Sequence, residues 1–221
     1  MLKNTLLADS ITLSFGDLEV LRGAWISSET GKVTGLLGRN GSGKSCIFRS
    51  IMGCLRPQNH FVRINDEVMT GSSTMGLHVR YLPQKPFLPL GMRLSEVFDY
   101  FGADYKLFVQ DFPKFEIYYN NKVRELSGGE QRILEIWLVL CSGAPFCILD
   151  EPFSYLGPIA IEAVQKIIDR QKRTTGIIIS DHNYEALLEV SDEVLLLSDG
   201  YVHQVRDRSD LVKYGYCRAD V

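Results

Sequence analysis

Eight residues early in the chain, Gly38-Arg39-Asn40-Gly41-Ser42-Gly43-Lys44-Ser45, fit the pattern G-x-x-x-x-G-K-[ST]. The chemistry open to such a run is phosphate binding. Its glycines let successive backbone N–H groups curl around an anion. Lys44 can then reach β- and γ-phosphates, and the Ser45 hydroxyl offers Mg²⁺ an oxygen ligand. An apolar strand, Val33–Leu37, precedes the run and a helical pattern follows it, so the positive end of that helix faces the anion. Cys46 begins the helix. Its position favours a thiolate, with a buried inert thiol as the alternative.

A second run, Leu126-Ser127-Gly128-Gly129-Glu130-Gln131-Arg132, has a purely structural reading. Ser127 at an N-cap with Glu130 three residues on makes a capping box, opening a helix that runs to Cys141. That leaves two glycines in a first turn unexplained, since each lowers helix propensity by about 1 kcal/mol. They suit a helix N-terminus that something must approach closely, and a phosphate is the natural candidate. At every position the run resembles the signature motif of ATP-binding-cassette (ABC) ATPases. The resemblance implies that Ser127, Gly128, Gly129 and Gln131 contact nucleotide, as do the residues from Gly38 to Cys46 in the first run.

The same family pattern can be followed along nearly the whole chain. Phe146-Cys147-Ile148-Leu149-Asp150-Glu151-Pro152 resembles the Walker B strand. The match implies Asp150 on Mg²⁺ through water and Glu151 as the general base toward the attacking water. A carboxylate at a strand end, facing polyphosphate, is where such a base must sit. Gln84, in Tyr81-Leu82-Pro83-Gln84, matches the glutamine that touches metal and attacking water and senses the partner protein. His182, in Ser180-Asp181-His182, matches the switch histidine at the γ-phosphate. Phe15, in Leu13-Ser14-Phe15-Gly16, stands where the family stacks an aromatic ring on adenine, with a hairpin core position as the alternative. One element departs from the pattern. Ser154-Tyr155-Leu156-Gly157 replaces the usual Ser-Ala-Leu-Asp, so the aspartate that links two subunits is a glycine. The stretch from Gln84 to Ser127 is also short for the family's helical subdomain.

The elements that must position these groups alternate in a legible way. Leu6–Leu13, a turn at Gly16-Asp17 and Val20–Ile26 read as a hairpin, as do Phe61–Ile64, Asn65-Asp66 and Glu67–Met69. The helix after Ser45 places Ile47, Phe48, Ile51, Met52 and Leu55 on one face and is expected to stop at Pro57. Phe146–Leu149, Ile177–Ile179 and Val194–Leu197 are short apolar runs of the kind found in parallel strands covered on both faces. Pro158 starts a helix that turns Ala163, Val164, Ile167 and Ile168 inward, and a last hairpin turns at Asp199-Gly200. The middle differs. Residues 86–125 hold 10 of the 21 Phe and Tyr residues, where an even spread would give about 4. They read as a small helical insert whose rings form either its own core or a groove for a permease helix.

Composition sets the outer limits. At 45% hydrophobic and 23% charged, the 221 residues are those of an ordinary globular protein. A net charge of −3 leaves no basic surplus for a nucleic-acid groove. The longest uncharged, mostly apolar stretch, Ile136 to Leu149, has 14 residues, short of the roughly 20 a spanning helix needs. No signal-peptide core precedes Asp9, and the five cysteines lack metal-ligand spacing, which fits reduced thiols in an intracellular protein.

The expected fold is therefore α/β: a P-loop (ABC ATPase) core with an N-terminal antiparallel β-region and a helical subdomain. Residues 1–221 form one domain, with the core at 1–85 and 141–221 and the helical subdomain at about 86–140. The resemblance implies ATP and Mg²⁺ as cofactors, the metal held by Ser45, Gln84 and Asp150, with hydrolysis in the hands of Glu151, His182 and Gln84. It implies a second cassette and a separate transmembrane permease as partners, no nucleic acid, and a cytoplasmic place on the membrane through the permease. A non-transport ABC ATPase, for example of the iron–sulfur assembly type, and a degenerate regulatory cassette are the alternatives.

Overall fold

The computed structural model describes residues 3–69 and 72–217. β1 (Thr5–Phe15) and β2 (Leu18–Glu29) form the first hairpin, and β3 (Val33–Gly38), buried throughout, leads into α1 (Lys44–Ile51). β4 (Asn59–Ile64) and β5 (Glu67–Val68) form the second hairpin. Its turn residues Asn65 and Asp66 take φ of 51° and 67°, the left-handed pair a type I′ turn requires. Then come α2 (Ser72–His78), β6 (Val79–Leu82), α3 (Leu94–Phe101), α4 (Tyr105–Asp111), two 3-10 turns (Pro113–Tyr118 and Val123–Glu125) and α5 (Gly128–Leu140). The rest alternates: β7 (Phe146–Asp150), α6 (Pro158–Gln171), β8 (Gly176–Ser180), α7 (Tyr184–Val190), β9 (Glu193–Ser198), β10 (Tyr201–Val205) and α8 (Arg208–Lys213).

Two sheets result. The N-terminal one is antiparallel, in the order β2-β1-β4-β5; the larger one runs β10-β9-β3-β8-β7-β6 and is parallel except for β10. In a parallel sheet all strands deliver their C-terminal ends to one edge, where open α/β sheets bind ligands. Here that edge collects the loops after Gly38, Leu82, Asp150 and Ser180.

Strand alternation divides the core between the two faces of the large sheet. Phe146 and Ile148 of β7 pack with α1 and the antiparallel sheet, among Phe48, Ile47 and Leu6; Cys147 and Leu149 pack on the side of α5, α6 and α7. The same period carries Asp150 to the α1 face, where its carboxylate accepts a hydrogen bond from the Tyr81 hydroxyl at 3.1 Å.

α1 is shorter than its apolar face suggests. Gly53 takes φ 67°, and the N–H groups of Cys54 and Leu55 both return to the Arg49 carbonyl, at 2.8 and 3.0 Å. The helix therefore closes after Ile51 rather than at Pro57, a left-handed glycine ending. Leu55 and Met52 are half-buried beside it.

The rings between Gln84 and Ser127 pack on one another. Phe108 is fully buried, with ring centroids 4.7 Å from Phe115, 5.3 Å from Phe98 and 5.4 Å from Trp137 of α5. Others face outward: Tyr100 and Ile117 are each 79% exposed and Leu90 57%. Asp111 helps tie this segment to the sheet side. Asp111 accepts two hydrogen bonds from Arg170 of α6, both at 2.6 Å, and one from the Trp137 indole N–H at 2.7 Å.

Candidate functional site

The loop from Gly38 to Ser45 is shaped by backbone requirements. Gly43 takes φ 110°, and a Cβ there would lie 2.9 Å from Val20; only glycine allows β2 to pack against the loop. Gly43 also precedes α1 without a side-chain cap, and no acidic residue lies in the first turn. The first N–H groups of α1, at Ser45 and Cys46, thus keep the positive end of the helix available to an anion. Beside them Ser42 Oγ is buried with no partner. Arg39 and Asn40 are exposed at the tip, and the Arg39 guanidinium turns away to donate to the Gly215 carbonyl.

Lys44 is buried, its ammonium donating to the carbonyls of Gly38 (2.7 Å) and Arg39 (3.2 Å). Burial pulls its pKa down, opposed by the carboxylates of Glu151, Asp150 and Asp181. A cation held by backbone oxygens alone, with three carboxylates near, is poised to exchange those carbonyls for phosphate oxygens. Uncapped N–H groups, an unpartnered hydroxyl and a desolvated lysine together fit a polyphosphate. The hard oxygens of Ser45 and Asp150 fit Mg²⁺.

Two side chains from separate strand ends meet on the Glu151 carboxylate. The Gln84 amide donates to its Oε2 at 2.7 Å, and His182 Nε2 lies 2.7 Å from its Oε1. Glu151 itself takes φ 52°, a left-handed conformation uncommon outside glycine and often found at functional sites. Its N–H donates to the Ser180 carbonyl at 2.7 Å, and its own carbonyl accepts from Arg132 at 3.0 Å. Asp150 is buried, with Ser180 Oγ donating to one oxygen at 2.8 Å and Tyr81 to the other. Asp181 is also buried and accepts the N–H groups of Phe153 and Asn183, each at 2.8 Å, pinning the loops after β7 and β8 to each other. Burial raises its pKa.

The capping box at α5 forms as the residue types require: the Ser127 N–H donates to Glu130 Oε2 at 2.9 Å, and the Glu130 N–H donates to Ser127 Oγ at 3.3 Å. Its two glycines serve different ends. A Cβ on Gly129 would stand 3.0 Å from the Tyr155 carbonyl, so the loop after β7 claims that close approach; Gly128 has open space beside it.

Several expected positions differ. Gln131 does not share the exposed surface of Ser127 and Gly128: it is buried and donates to Glu135 at 3.4 Å, because its place on α5 turns it inward. The Cys46 thiol is half-buried beside the α1-face core, and burial raises its pKa against the opposing influence of Arg49, so its surroundings favour the thiol over the expected thiolate. Phe15 is 53% exposed at the end of β1, so it is not hairpin core. A cavity of about 750 Å³ opens on the outer side of the loop, bounded by Val20, Ser42 and Gly200, with Tyr214 and Tyr216 as its aromatic walls; Phe15 lies off its lining. Sequence reading missed Tyr81, Arg132, Glu135 and Asp181 as site residues. Arg132, Tyr81 and Asp181 stood within the runs of Ser127, Gln84 and His182, whereas Glu135 carried no signal.

Known proteins resemble this chain in sequence and fold. The ABC transporter family model matches residues 21–154. A lipopolysaccharide export system ATP-binding protein, LptB, of Acidithiobacillus ferridurans is 31% identical over 219 residues, covering 88% of this chain and 87% of its own. An uncharacterized ABC transporter ATP-binding protein of Rhizobium meliloti is 29% identical over 228 residues, covering 94% and 82%. A solved structure of an ATP binding subunit of an ABC transporter superposes with a TM-score of 0.82 at 23% identity, covering 97% of this chain and 95% of that one.

Proposed function

The chain belongs to the ABC transporter family, as an ATP-binding subunit with ATPase activity, and on that premise we propose the way its residues work. It pairs with a second cassette around ATP, and hydrolysis drives a separate membrane-spanning permease. Among the described residues no helix is long and apolar enough to cross a membrane.

The observation that carries this reading is the Glu151 carboxylate held between Gln84 and His182, each at 2.7 Å, on the strand edge that also bears Lys44. The Gln84 hydrogen bond and the adjacent His182 nitrogen orient one carboxylate, which is what a general base toward water needs. Lys44 and the N–H groups of the loop bind the phosphates; Ser127 and Gly128 offer an exposed helix N-terminus to the nucleotide of the partner cassette. Ser45 and Asp150, with Gln84, would hold Mg²⁺, which would supply charge neutralisation at the phosphates. Glu151 accepts the proton of the attacking water, and His182 relays contact with the γ-phosphate to that base. The exposed Tyr100, Ile117 and Leu90 lie on the segment suited to meet the permease.

Binding and chemistry separate on two substitutions. Lys44→Ala weakens ATP binding by about tenfold or more, as the charge-assisted bonds are lost. Glu151→Gln keeps binding, lowers kcat by about 10²–10⁴-fold and accumulates an ATP-bound dimer on size exclusion. Normal hydrolysis by Glu151→Gln would remove Glu151 as the base.

A further inference from the structure

Helix α5 buries two charged side chains to which nothing above gives a part in hydrolysis. Arg132 and Glu135 are 3% and 0% exposed, among the apolar Ile133, Leu134 and Ile136. Their charges face each other at 3.6 Å without a hydrogen bond, and Arg132 Nε and Glu135 Oε2 are buried with no partner. As a device for stability this is poor, because a buried ion pair is often no better than apolar residues of similar size. Their hydrogen bonds are directed elsewhere.

Arg132 donates to the Pro83 carbonyl at 2.8 Å, the Asp150 carbonyl at 2.7 Å and the Glu151 carbonyl at 3.0 Å. Glu135 Oε1 accepts the N–H groups of Phe87 at 2.9 Å and Leu88 at 3.2 Å. Gln84 lies between those anchors, in the short stretch from Pro83 to Leu88. One guanidinium thus holds the start of that loop and the backbone on which Glu151 sits, while one carboxylate holds the loop's far end.

We propose that Arg132 and Glu135 are a positioning pair for ATP hydrolysis, fixing the loop of Gln84 at both ends and the backbone of Glu151, and so setting where the two side chains meet. The assignment rests on Gln84 and Glu151 acting as the hydrolytic pair. The left-handed backbone of Glu151 supplies the physical need, since such a conformation persists only where its surroundings hold it. No apolar pair could donate to three carbonyls and accept two N–H groups. A lysine at position 132 has a single compact ammonium and lacks the planar fork that reaches separate acceptors. A glutamine at position 135 keeps an oxygen acceptor but leaves the buried guanidinium without its counter-charge.

The test is steady-state hydrolysis against ATP concentration, with ATP binding measured separately by equilibrium fluorescence, for Arg132→Lys, Glu135→Gln, Gln84→Ala and the doubles with Gln84→Ala. Thermal melting establishes that each chain is folded. Misplacing the groups lowers kcat on the order of tenfold to a hundredfold, with ATP affinity within about twofold of wild type. Acting through Gln84, each substitution has little further effect once Gln84 is alanine; a general loosening of the fold would multiply with it. Wild-type kcat in a folded Arg132→Lys or Glu135→Gln, or full multiplication in the doubles, overturns the proposal. Should one single variant fail to fold, the other and its double decide. Glu151→Gln is the control: if it hydrolyses normally, the site reading fails and this proposal with it. If it is inactive while Arg132→Lys and Glu135→Gln run at full rate, only the positioning pair is lost.

Discussion

The parallel sheet and the segment from Gln84 to Ser127 both bury apolar cores, yet they are filled with different side chains. β8 is Ile177, Ile178 and Ile179 at its centre, and buried carboxylates gather at the C-terminal strand ends, at Asp150, Glu151 and Asp181. The other segment is filled by Phe98, Phe108 and Phe115, while Tyr100 and Ile117 stand in solvent. β-Branched residues are stiff at χ1 and pack well on a pleated surface, so the loops leaving that sheet can hold Gln84, Glu151 and His182 within hydrogen-bond range. Short helices with no sheet behind them depend on bulky ring contacts and a few ties such as Asp111 to Arg170. Rigid strand ends suit chemistry; a ring-packed module with apolar side chains outward suits meeting another protein.

The harshest test of that division is Phe108→Ala. The ring contacts five others, including Trp137, so its removal leaves a cavity costing about 3–5 kcal/mol. A chain of this size then melts roughly 6–20 °C lower. ATP affinity measured below the new transition stays close to wild type, because the phosphate loop belongs to the sheet. Loss of ATP affinity in the folded variant would mean that the two regions are not separable.

Asp111→Asn is milder. It removes the charge from a pair whose arginine is half exposed and lowers stability by about 1 kcal/mol. The hydrogen bonds from Arg170 are the largest influence on the Asp111 carboxyl and hold its pKa below the ordinary value of 3.8. A depressed carboxylate contributes fully above its unfolded pKa and loses that contribution as pH falls through the folded one. The difference in melting temperature between wild type and Asp111→Asn is therefore constant from about pH 5 to 8 and shrinks below about pH 4. A difference that grew on acidification would assign the tie to another group.

Gly157→Asp carries the smallest effect on stability. Gly157 has φ −79° and ψ 166° as the N-cap of α6, and a Cβ there meets nothing within 4 Å. Its backbone does not require glycine, and aspartate can cap the helix for a few tenths of a kcal/mol. With the permease present, the substitution raises the Hill coefficient for ATP by restoring a carboxylate at the subunit link. Unchanged cooperativity would show that this loop couples the two sites by another route.

Local signals were strong wherever a structure depends on neighbours in the chain. The Asn65-Asp66 and Asp199-Gly200 turns, the capping box of Ser127 and Glu130, and Pro158 at the start of α6 were all legible, because each acts over a few residues. α2 was not, since Ser72 to His78 carries little helical apolar period. The early end of α1 was missed because Gly53 outcompeted the more visible Pro57.

The sequence by itself determined the chemistry available: a phosphate loop, a strand ending in two carboxylates, and a helix opening on two glycines, each written in contiguous residues. Tertiary structure alone decided how these groups are aimed. Glu135 meets Phe87 across 48 positions and Arg132 meets Pro83 across 49, so no local period could reveal either contact. Gln131 and Cys46 turned out differently for the same reason: whether a side chain meets solvent or a packed core depends on what distant segments place beside it. Burial and long-range hydrogen bonds are properties of the assembled chain, and they decide the direction of a pKa and the reach of a catalytic group.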